Sequence, residues 1–103
     1  MTAELIWRKR ALTQLEAIFD YIRADNPKAA KICVEEIIAA SDRLRQFPRS
    51  GRAYDNRYRI LVVRNHLVFY RHEQPAGRVI VTAVIDGRRD IAALLRQLDP
   101  KGG

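Results

Sequence analysis

Three segments of alternating side chains lie close together in the second half of the chain, and they constrain the fold more than any other feature. They are YRILVVR (58–64), HLVFYRH (66–72) and VIVTAVID (79–86). Each is rich in β-branched and aromatic residues, and only short turns separate them, at Asn65 and at QPAG (74–77). Strands joined by such short turns pair antiparallel with their neighbours. The sequence therefore predicts a three-stranded antiparallel meander.

The first half of the chain has the three- and four-residue spacing of amphipathic helices. The first helix stops near Asp25, and its predicted apolar face consists of Ala11, Leu12, Leu15, Ile18, Phe19 and Ile22. Asn26-Pro27 then starts a second helix, because the Asn side chain can cap free N–H groups and proline loses nothing at the first position. Its predicted apolar face consists of Ala30, Cys33, Val34, Ile37, Ile38, Ser41 and Leu44. So short a link predicts an antiparallel hairpin.

FPRSG (47–51) ends the second helix. ELIW (4–7) predicts a short first strand, which we expect at a sheet edge beside one of the later strands. Asp90 to Leu98 predicts a final helix with Ile91, Leu94, Leu95 and Leu98 on its apolar face. The predicted fold class is α+β, an N-terminal helix hairpin packed on a mostly antiparallel sheet with a short C-terminal helix. We expect one domain over residues 1–99 and a tail at 100–103.

The positive charge is concentrated in the second half of the chain. The formal charge is +7, of which residues 1–47 contribute +1 and residues 48–103 contribute +6. Arginine outnumbers lysine fifteen to four, and the planar guanidinium suits bidentate contact with phosphate or carboxylate. A basic half on a small domain indicates a nucleic acid or an acidic protein as partner. The alternative is a solvated basic face with no partner.

Features of the sequence also indicate the cellular compartment of the protein. No apolar run approaches the length that crosses a membrane, and MTAELIWRKR lacks the order of a secretory signal, in which charge precedes a long apolar run. The single cysteine, Cys33, excludes an internal disulfide and agrees with a reducing compartment. We therefore expect a cytoplasmic protein. Cys33 and Trp7 are expected in the core.

Five segments, in order, resemble the RelE/ParE superfamily of bacterial toxins. ALTQLEAIFDYI resembles the family's first helix and NPKAAKICVEEI the start of its second. LRQFPRSGR is similar to the family's Leu-x-x-x-Pro-x-x-Gly-Arg connection, YRILVVRNHLVFYR to its paired strands, and VIDGRRD to the strand exit before the last helix. The resemblance covers nearly the whole chain.

The resemblance implies one of two activities. RelE-like members are ribosome-dependent mRNA endonucleases, and ParE-like members inhibit DNA gyrase. Both are neutralised by an antitoxin encoded beside them, so the chain is expected to be the toxin of a type II toxin–antitoxin module of the plasmid-stabilisation type. The expected antitoxin is ParD-like, an acidic chain that folds on binding and inserts an apolar helix beside the hairpin. No membrane partner is expected, and direct nucleic-acid binding is left open.

The segment after the last strand favours the gyrase inhibitor. RelE-like nucleases resemble one another in carrying a tyrosine, or a His-Tyr pair, in that segment. Here it reads GRRDIAALLRQL (87–98), and Leu95 stands where the tyrosine would fall. We therefore expect no catalytic residue, no metal and no cofactor. The alternative is a RelE-like endonuclease with Arg59, Arg71 and Arg89 as phosphate ligands.

Six residues are candidates for binding the antitoxin or the target: Arg52, Arg59, Tyr70, Arg71, Arg88 and Arg89. Tyr70 can equally be a buried tyrosine with its hydroxyl bonded at the sheet edge. One of Arg88 and Arg89 is expected to be structural and the other to face a partner protein, while Asp90 caps the last helix.

The remaining polar aromatic residues have plainer interpretations. His66 and His72 are expected at opposite ends of one strand, roughly 20 Å apart, which is too far to act on one phosphate. Tyr54 and Tyr58 lie in the basic stretch GRAYDNRYR and could stack on unpaired bases. Tyr58 could as easily begin the buried face of a strand.

Overall fold

The computed structural model describes residues 2–87. The described elements, in chain order, are β1 (Glu4–Trp7), α1 (Lys9–Arg23), α2 (Pro27–Asp42), a single 3-10 turn (Arg43–Arg45), β2 (Arg52–Ala53), β3 (Arg59–Val63), β4 (His66–Glu73) and β5 (Arg78–Asp86). The predicted helix hairpin and three-strand meander are confirmed. The short strand β2 was not predicted. The expected final helix, the tail, Arg88, Arg89, Asp90 and Leu95 lie outside the described residues.

The two helices begin differently. The Asn26 side chain caps α2 by accepting a hydrogen bond from the Ala29 N–H at 3.1 Å, with Pro27 at the first helical position. Arg8 precedes α1 without a side-chain cap, and its own N–H donates to the Val81 carbonyl at 2.9 Å. The start of α1 is therefore set by the sheet rather than by a local cap.

The predicted apolar faces of the helices are wrong at two positions. Ala11, Leu15 and Ile37 are buried, but Leu12 is 50% exposed and Ile38 is 46% exposed. A helix turns by about 100° per residue, so Ile38 points well away from Ile37 and Leu12 lies at the margin of the stripe centred on Leu15. Two large apolar side chains are consequently left on the surface of the hairpin.

The sheet has five strands in the order β1-β5-β4-β3-β2. β1 lies at the edge and pairs parallel with β5, from Glu4 opposite Arg78 to Trp7 opposite Val81, which confirms the predicted edge position. The other pairs are antiparallel. Beyond the end of β1, the Gln14 side chain of α1 accepts a hydrogen bond from the Val84 N–H at 2.8 Å, so this strand donor is satisfied by a helix side chain.

The hairpin between β3 and β4 has a two-residue loop, since Val63 lies opposite His66. Arg64 adopts a positive φ of 54° there, a conformation that non-glycine residues seldom take. Its guanidinium forms two hydrogen bonds with the Glu36 carboxylate of α2, one of them 2.8 Å long. The tip of the hairpin is thereby joined to the helix above it.

The sheet has two different faces. The helix face packs against α1 and α2, and its buried cluster comprises Ala3, Ala11, Leu15, Ile37, Leu44, Val68, Tyr70, Val79, Val81 and Val84. Half-buried Trp7 and Cys33 pack against it, as predicted. The far face, turned away from α1 and α2, carries the cluster Ile60, Leu67, Phe69, Ala83 and Ile85.

A bulge at Thr82, between the partners of Phe69 and Tyr70, shifts the register of β5, and the Thr82 hydroxyl donates to the Phe69 carbonyl at 3.1 Å. No helix within residues 2–87 is long and apolar enough to cross a membrane.

Candidate functional site

Tyr70 lies on the helix face of β4 and is completely buried. Its hydroxyl donates to the Pro48 carbonyl at 2.7 Å and accepts from the Gly51 N–H at 3.0 Å. Burial raises the pKa of the hydroxyl above its ordinary value, while the Gly51 N–H and the Arg59 charge oppose the shift. The hydroxyl therefore stays protonated and keeps both hydrogen bonds.

Arg59 lies directly opposite Tyr70 in the β3–β4 register. One guanidinium nitrogen donates to the Gly51 carbonyl at 2.7 Å and to the Arg49 carbonyl at 3.3 Å. Tyr70 and Arg59 thus bind backbone groups of the same connection, 47–51, and hold it against the sheet. We call this arrangement the loop clamp.

Gly51 is required by the loop clamp. A Cβ atom on Gly51 would lie 2.7 Å from the Tyr70 hydroxyl oxygen and 2.8 Å from the Ile60 carbonyl oxygen. Contacts that short do not occur, and the backbone oxygen cannot move aside without disturbing β3. The glycine of the PRSGR segment is therefore explained by close packing under Tyr70, and it delivers the chain directly into β2.

Arg52 and Arg71 lie on the far face. Arg52 pairs with Ile60 and Ile60 pairs with Phe69, and residues opposite one another in a sheet share a face. Arg71 follows Phe69 by two residues on the same strand. The loop clamp residues Arg59 and Tyr70 point to the other side. The structure thus separates the four described candidates into two pairs, a division that spacing alone did not reveal.

The two far-face arginines differ in how their charge is compensated. A terminal nitrogen of Arg71 is 3.3 Å from one oxygen of the Glu73 carboxylate, whose other oxygen is 3.1 Å from Arg78. The Arg71 Nε is buried and has no hydrogen-bond partner within the described chain. Arg52 is exposed, and its side chain has no ion pair with residues 2–87. Arg52 is therefore the more available anion ligand.

Aromatic rings complete this part of the far face. The Tyr54 and Phe69 rings meet edge to face, with centroids 6.3 Å apart, a favourable aromatic geometry. Tyr54 is 42% exposed. Asp55, the acid of this segment, is occupied in a turn, where one carboxylate oxygen accepts from the Arg57 and Tyr58 N–H groups at 2.8 Å. Tyr58 is buried. We call the set Arg52, Tyr54, Phe69 and Arg71 the far-face patch.

The histidines lie elsewhere. His66 and His72 begin and nearly end β4, and alternation places both on the helix face with Val68 and Tyr70. The His66 Nδ1 is 3.9 Å from the Cys33 Sγ, and the His72 Nε2 is 3.1 Å from the Gln74 amide. Burial raises the pKa of the Cys33 thiol, and the nearby Glu36 carboxylate adds to this. Neither histidine reaches the far-face patch.

Residues 5–91 match the family model described as the ParE toxin of the type II toxin–antitoxin system parDE. The match covers most of the chain. The chain belongs to the ParE toxin family. It is therefore a type II toxin of the ParE/RelE superfamily, as its sequence motifs indicated.

Named relatives agree with the assignment to the ParE/RelE superfamily of toxins. Toxin RelE2 of Caulobacter vibrioides is 39% identical over 61 residues, which are 59% of this chain and 69% of that protein. The Sinorhizobium fredii protein Y4kP is 46% identical over 46 residues, 45% of this chain and 48% of that protein. This chain therefore spans about half the length of the second relative.

Two solved structures share the fold. A chain of the chromosomal ParDE system of P. aeruginosa superposes with a TM-score of 0.72 at 20% identity, covering 82% of this chain and 96% of that one. An arginine-to-alanine double mutant of the E. coli toxin RelE, in the free state, superposes with a TM-score of 0.69 at 14% identity, covering 99% and 98%. This ParE-family chain therefore has the RelE/ParE fold.

Proposed function

We propose that this ParE-family toxin inhibits DNA gyrase by binding it, and that the far-face patch contributes to that binding. The observation that carries the proposal is the separation of chemistry between the two faces of the sheet. The far-face patch offers arginines and an exposed tyrosine, whereas both histidines lie on the helix face. Such a patch can hold a partner, and it contains neither a histidine nor a carboxylate that could act as the base in a cleavage reaction.

Metal-independent RNA cleavage requires a base for the 2′-hydroxyl, an acid for the departing oxygen and cations for the phosphate. Arg52 and Arg71 could serve as cations. The Glu73 carboxylate beside Arg71 is already paired with Arg71 and Arg78, so both of its oxygens are engaged by guanidinium groups. Binding therefore accounts for the far-face patch better than cleavage does.

A second candidate is a RelE-like mRNA endonuclease, and Tyr54 is the observation that favours it. The Tyr54 ring packs on Phe69 in the far-face patch beside the two arginines, and a tyrosine can transfer a proton. The named relative RelE2 carries the name of that activity class. Under this alternative, Tyr54 would be the acid–base group and Arg52 a phosphate ligand.

We further propose that a ParD-like acidic antitoxin neutralises the toxin by covering the helix hairpin. Leu12 lies eleven residues before the end of α1 and Ile38 eleven residues after the start of α2, so the two lie at the same level of the antiparallel hairpin. Both are about half exposed. An apolar helix seated on them would bury both side chains, and its acidic flanks would suit a chain of charge +7.

The test is a pair of reactions run with the same purified toxin. One contains gyrase, plasmid and ATP, and the other is a translation reaction in which mRNA ends are mapped. We expect gyrase-linked DNA breaks and intact mRNA. Codon-phased mRNA cuts with normal gyrase activity would overturn the proposal in favour of the nuclease.

Tyr54→Phe sharpens this test because it removes the hydroxyl and keeps the ring contact with Phe69. The variant should inhibit gyrase as the parent chain does. If the chain is a nuclease that uses Tyr54, cleavage should fall by about 100-fold or more.

A further inference from the structure

An open groove of about 570 Å³ lies where the chain leaves the helices and passes under the end of the sheet. Its lining consists of Phe47, Pro48, Arg49, Ser50, His72 and Gln74. We call it the Phe47 groove. His72 belongs to the helix face of β4, so the groove opens on the same side of the sheet as the hairpin and on the opposite side from the far-face patch.

The wall of the Phe47 groove is held in place before anything binds. The carbonyls of Pro48 and Arg49 accept hydrogen bonds from Tyr70 and Arg59, and the Ser50 N–H donates to the Phe47 carbonyl at 3.0 Å. A loop whose polar backbone groups are already bonded loses little conformational entropy when a ligand binds it. Preorganisation of this kind is typical of a recognition surface.

Phe47 is the apolar element of the groove. Its side chain is 59% exposed, although Tyr70 and Arg59 hold the residues that follow it against the sheet. A large ring left exposed on a fixed loop can serve as a contact for an apolar side chain of a partner. The groove is also large enough to receive such a side chain.

The charge around the groove is positive. Arg49 is exposed and has no acidic partner within residues 2–87. The acids nearest in the chain are already used. Asp42 lies 3.6 Å from Arg45, and Asp55 accepts hydrogen bonds from two backbone N–H groups. Glu73 binds Arg71 and Arg78. An acidic ligand would therefore meet uncompensated positive charge beside an exposed aromatic ring.

We propose that the Phe47 groove binds an acidic segment of the antitoxin, with one apolar side chain of that segment against Phe47 and a carboxylate against Arg49. The proposal rests on the proposed neutralisation by an antitoxin on the helix side of the sheet. The groove would extend that interface beyond the hairpin. The antitoxin would then have two separate anchors, Leu12 and Ile38 at the hairpin and Phe47 at the groove.

The experiment measures the affinity of the full-length protein encoded beside this toxin for four toxin variants. Phe47→Ser should lower the affinity about tenfold, and Arg49→Gln about threefold in low salt. Val62→Ser and Arg57→Gln are the controls, since they remove an exposed apolar side chain of the far face and an exposed arginine outside the helix hairpin and should leave the affinity unchanged. Unfolding midpoints within about 2 °C of the parent chain would exclude misfolding as the cause.

Short fluorescein-labelled peptides that tile the neighbouring protein then locate the segment. An acidic peptide with an apolar residue, whose binding is lost with Phe47→Ser, supports the proposal. If the full-length neighbour binds all four variants equally, the groove proposal is overturned and the antitoxin proposal stands. If the neighbour does not bind at all, both are overturned. A single-stranded DNA oligonucleotide that binds through Phe47 while every peptide fails would also overturn the groove proposal.

Discussion

The loop clamp and the far-face patch both combine arginine with aromatic residues, and strand alternation places them on opposite faces of the same sheet. Arg59 and Tyr70 point to the helix face, where backbone carbonyls of the 47–51 connection occupy their polar atoms. Arg52 and Arg71 point to the far face, where Arg52 has no acidic partner among residues 2–87. Residue type therefore does not separate an arginine occupied by backbone carbonyls from one proposed to bind a partner, whereas the face of the sheet does.

The largest effect should come from Gly51→Ala, which fills the space under the loop clamp. The added Cβ would lie within 3 Å of the Tyr70 hydroxyl and the Ile60 carbonyl, so the free energy of unfolding should fall by about 3 kcal/mol. Gly77→Ala is the control, since its Cβ meets nothing within 4 Å and only its φ of 68° is strained, which costs about 1 kcal/mol. Urea unfolding measures both. Equal losses would show that the loop clamp is not tightly packed.

Tyr70→Phe should have the next largest effect, because it keeps the ring and removes the hydroxyl. The Pro48 carbonyl and the Gly51 N–H would each lose a partner at a buried position, which costs about 2 kcal/mol in unfolding free energy. The matched control Tyr54→Phe removes a partly exposed hydroxyl on the far face and should cost less than about 0.5 kcal/mol. A reversal of that order would contradict the division between the two regions.

Arg52→Ala should weaken gyrase inhibition and leave the free energy of unfolding almost unchanged. The side chain is exposed and has no ion pair within the described chain, so the free energy of unfolding should change by less than about 0.5 kcal/mol. The toxin concentration needed for half-maximal gyrase inhibition should rise about tenfold. Arg59→Ala should instead lower stability by about 1 to 2 kcal/mol, since it releases two backbone carbonyls of the loop clamp. If Arg52→Ala inhibits gyrase normally, the far-face patch is not the binding surface.

The smallest effect is a dependence of stability on alkaline pH. Burial raises the pKa of Tyr70 above 10.0 in the folded chain, so the folded state holds this proton more tightly than the unfolded state does. The contribution is fully present below about pH 10, the ordinary tyrosine value, and is lost as the pH rises through the folded pKa. The unfolding free energy should therefore fall more steeply above pH 10 in the parent chain than in Tyr70→Phe. Parallel curves would exclude Tyr70 as the source.

Several parts of the fold could be predicted because short-range spacing governs them. The Asn26-Pro27 start of α2, the tight turn around Asn65 and the alternation of β4 each depend on neighbouring residues only. The exposure of Ile38 could have been predicted from the 100° turn between it and Ile37, whereas that of Leu12, at the margin of the apolar stripe, depends on how far the helices and the sheet wrap around each other. The sequence did not predict β2, because a two-residue strand is too short to show the alternation by which strands are recognised.

The features of the candidate site also divide into those that the sequence indicated and those that only the structure revealed. The six candidate residues, the basic second half and the resemblance to the ParE/RelE toxins could all be read from the amino-acid order. The proximity of Cys33 to His66 carried no sequence signal, because helix-on-sheet packing brings together residues 33 positions apart. The ion pairs of Glu73 with Arg71 and Arg78 could have been predicted, because the three residues lie on either side of one turn of the chain.

The sequence by itself determined the order of helices and strands, their turns, the sign of the surface charge and the toxin family, since these depend on local periodicity and on motifs. Only the tertiary structure decided which polar groups remain available. The connection 47–51 folds back across β3 and β4, and Gly51 allows Tyr70 to approach closely. The backbone then occupies Arg59, while Arg52 has no ion pair with residues 2–87. That outcome depends on contacts between distant segments, and the free energy of such contacts is not encoded in any single segment.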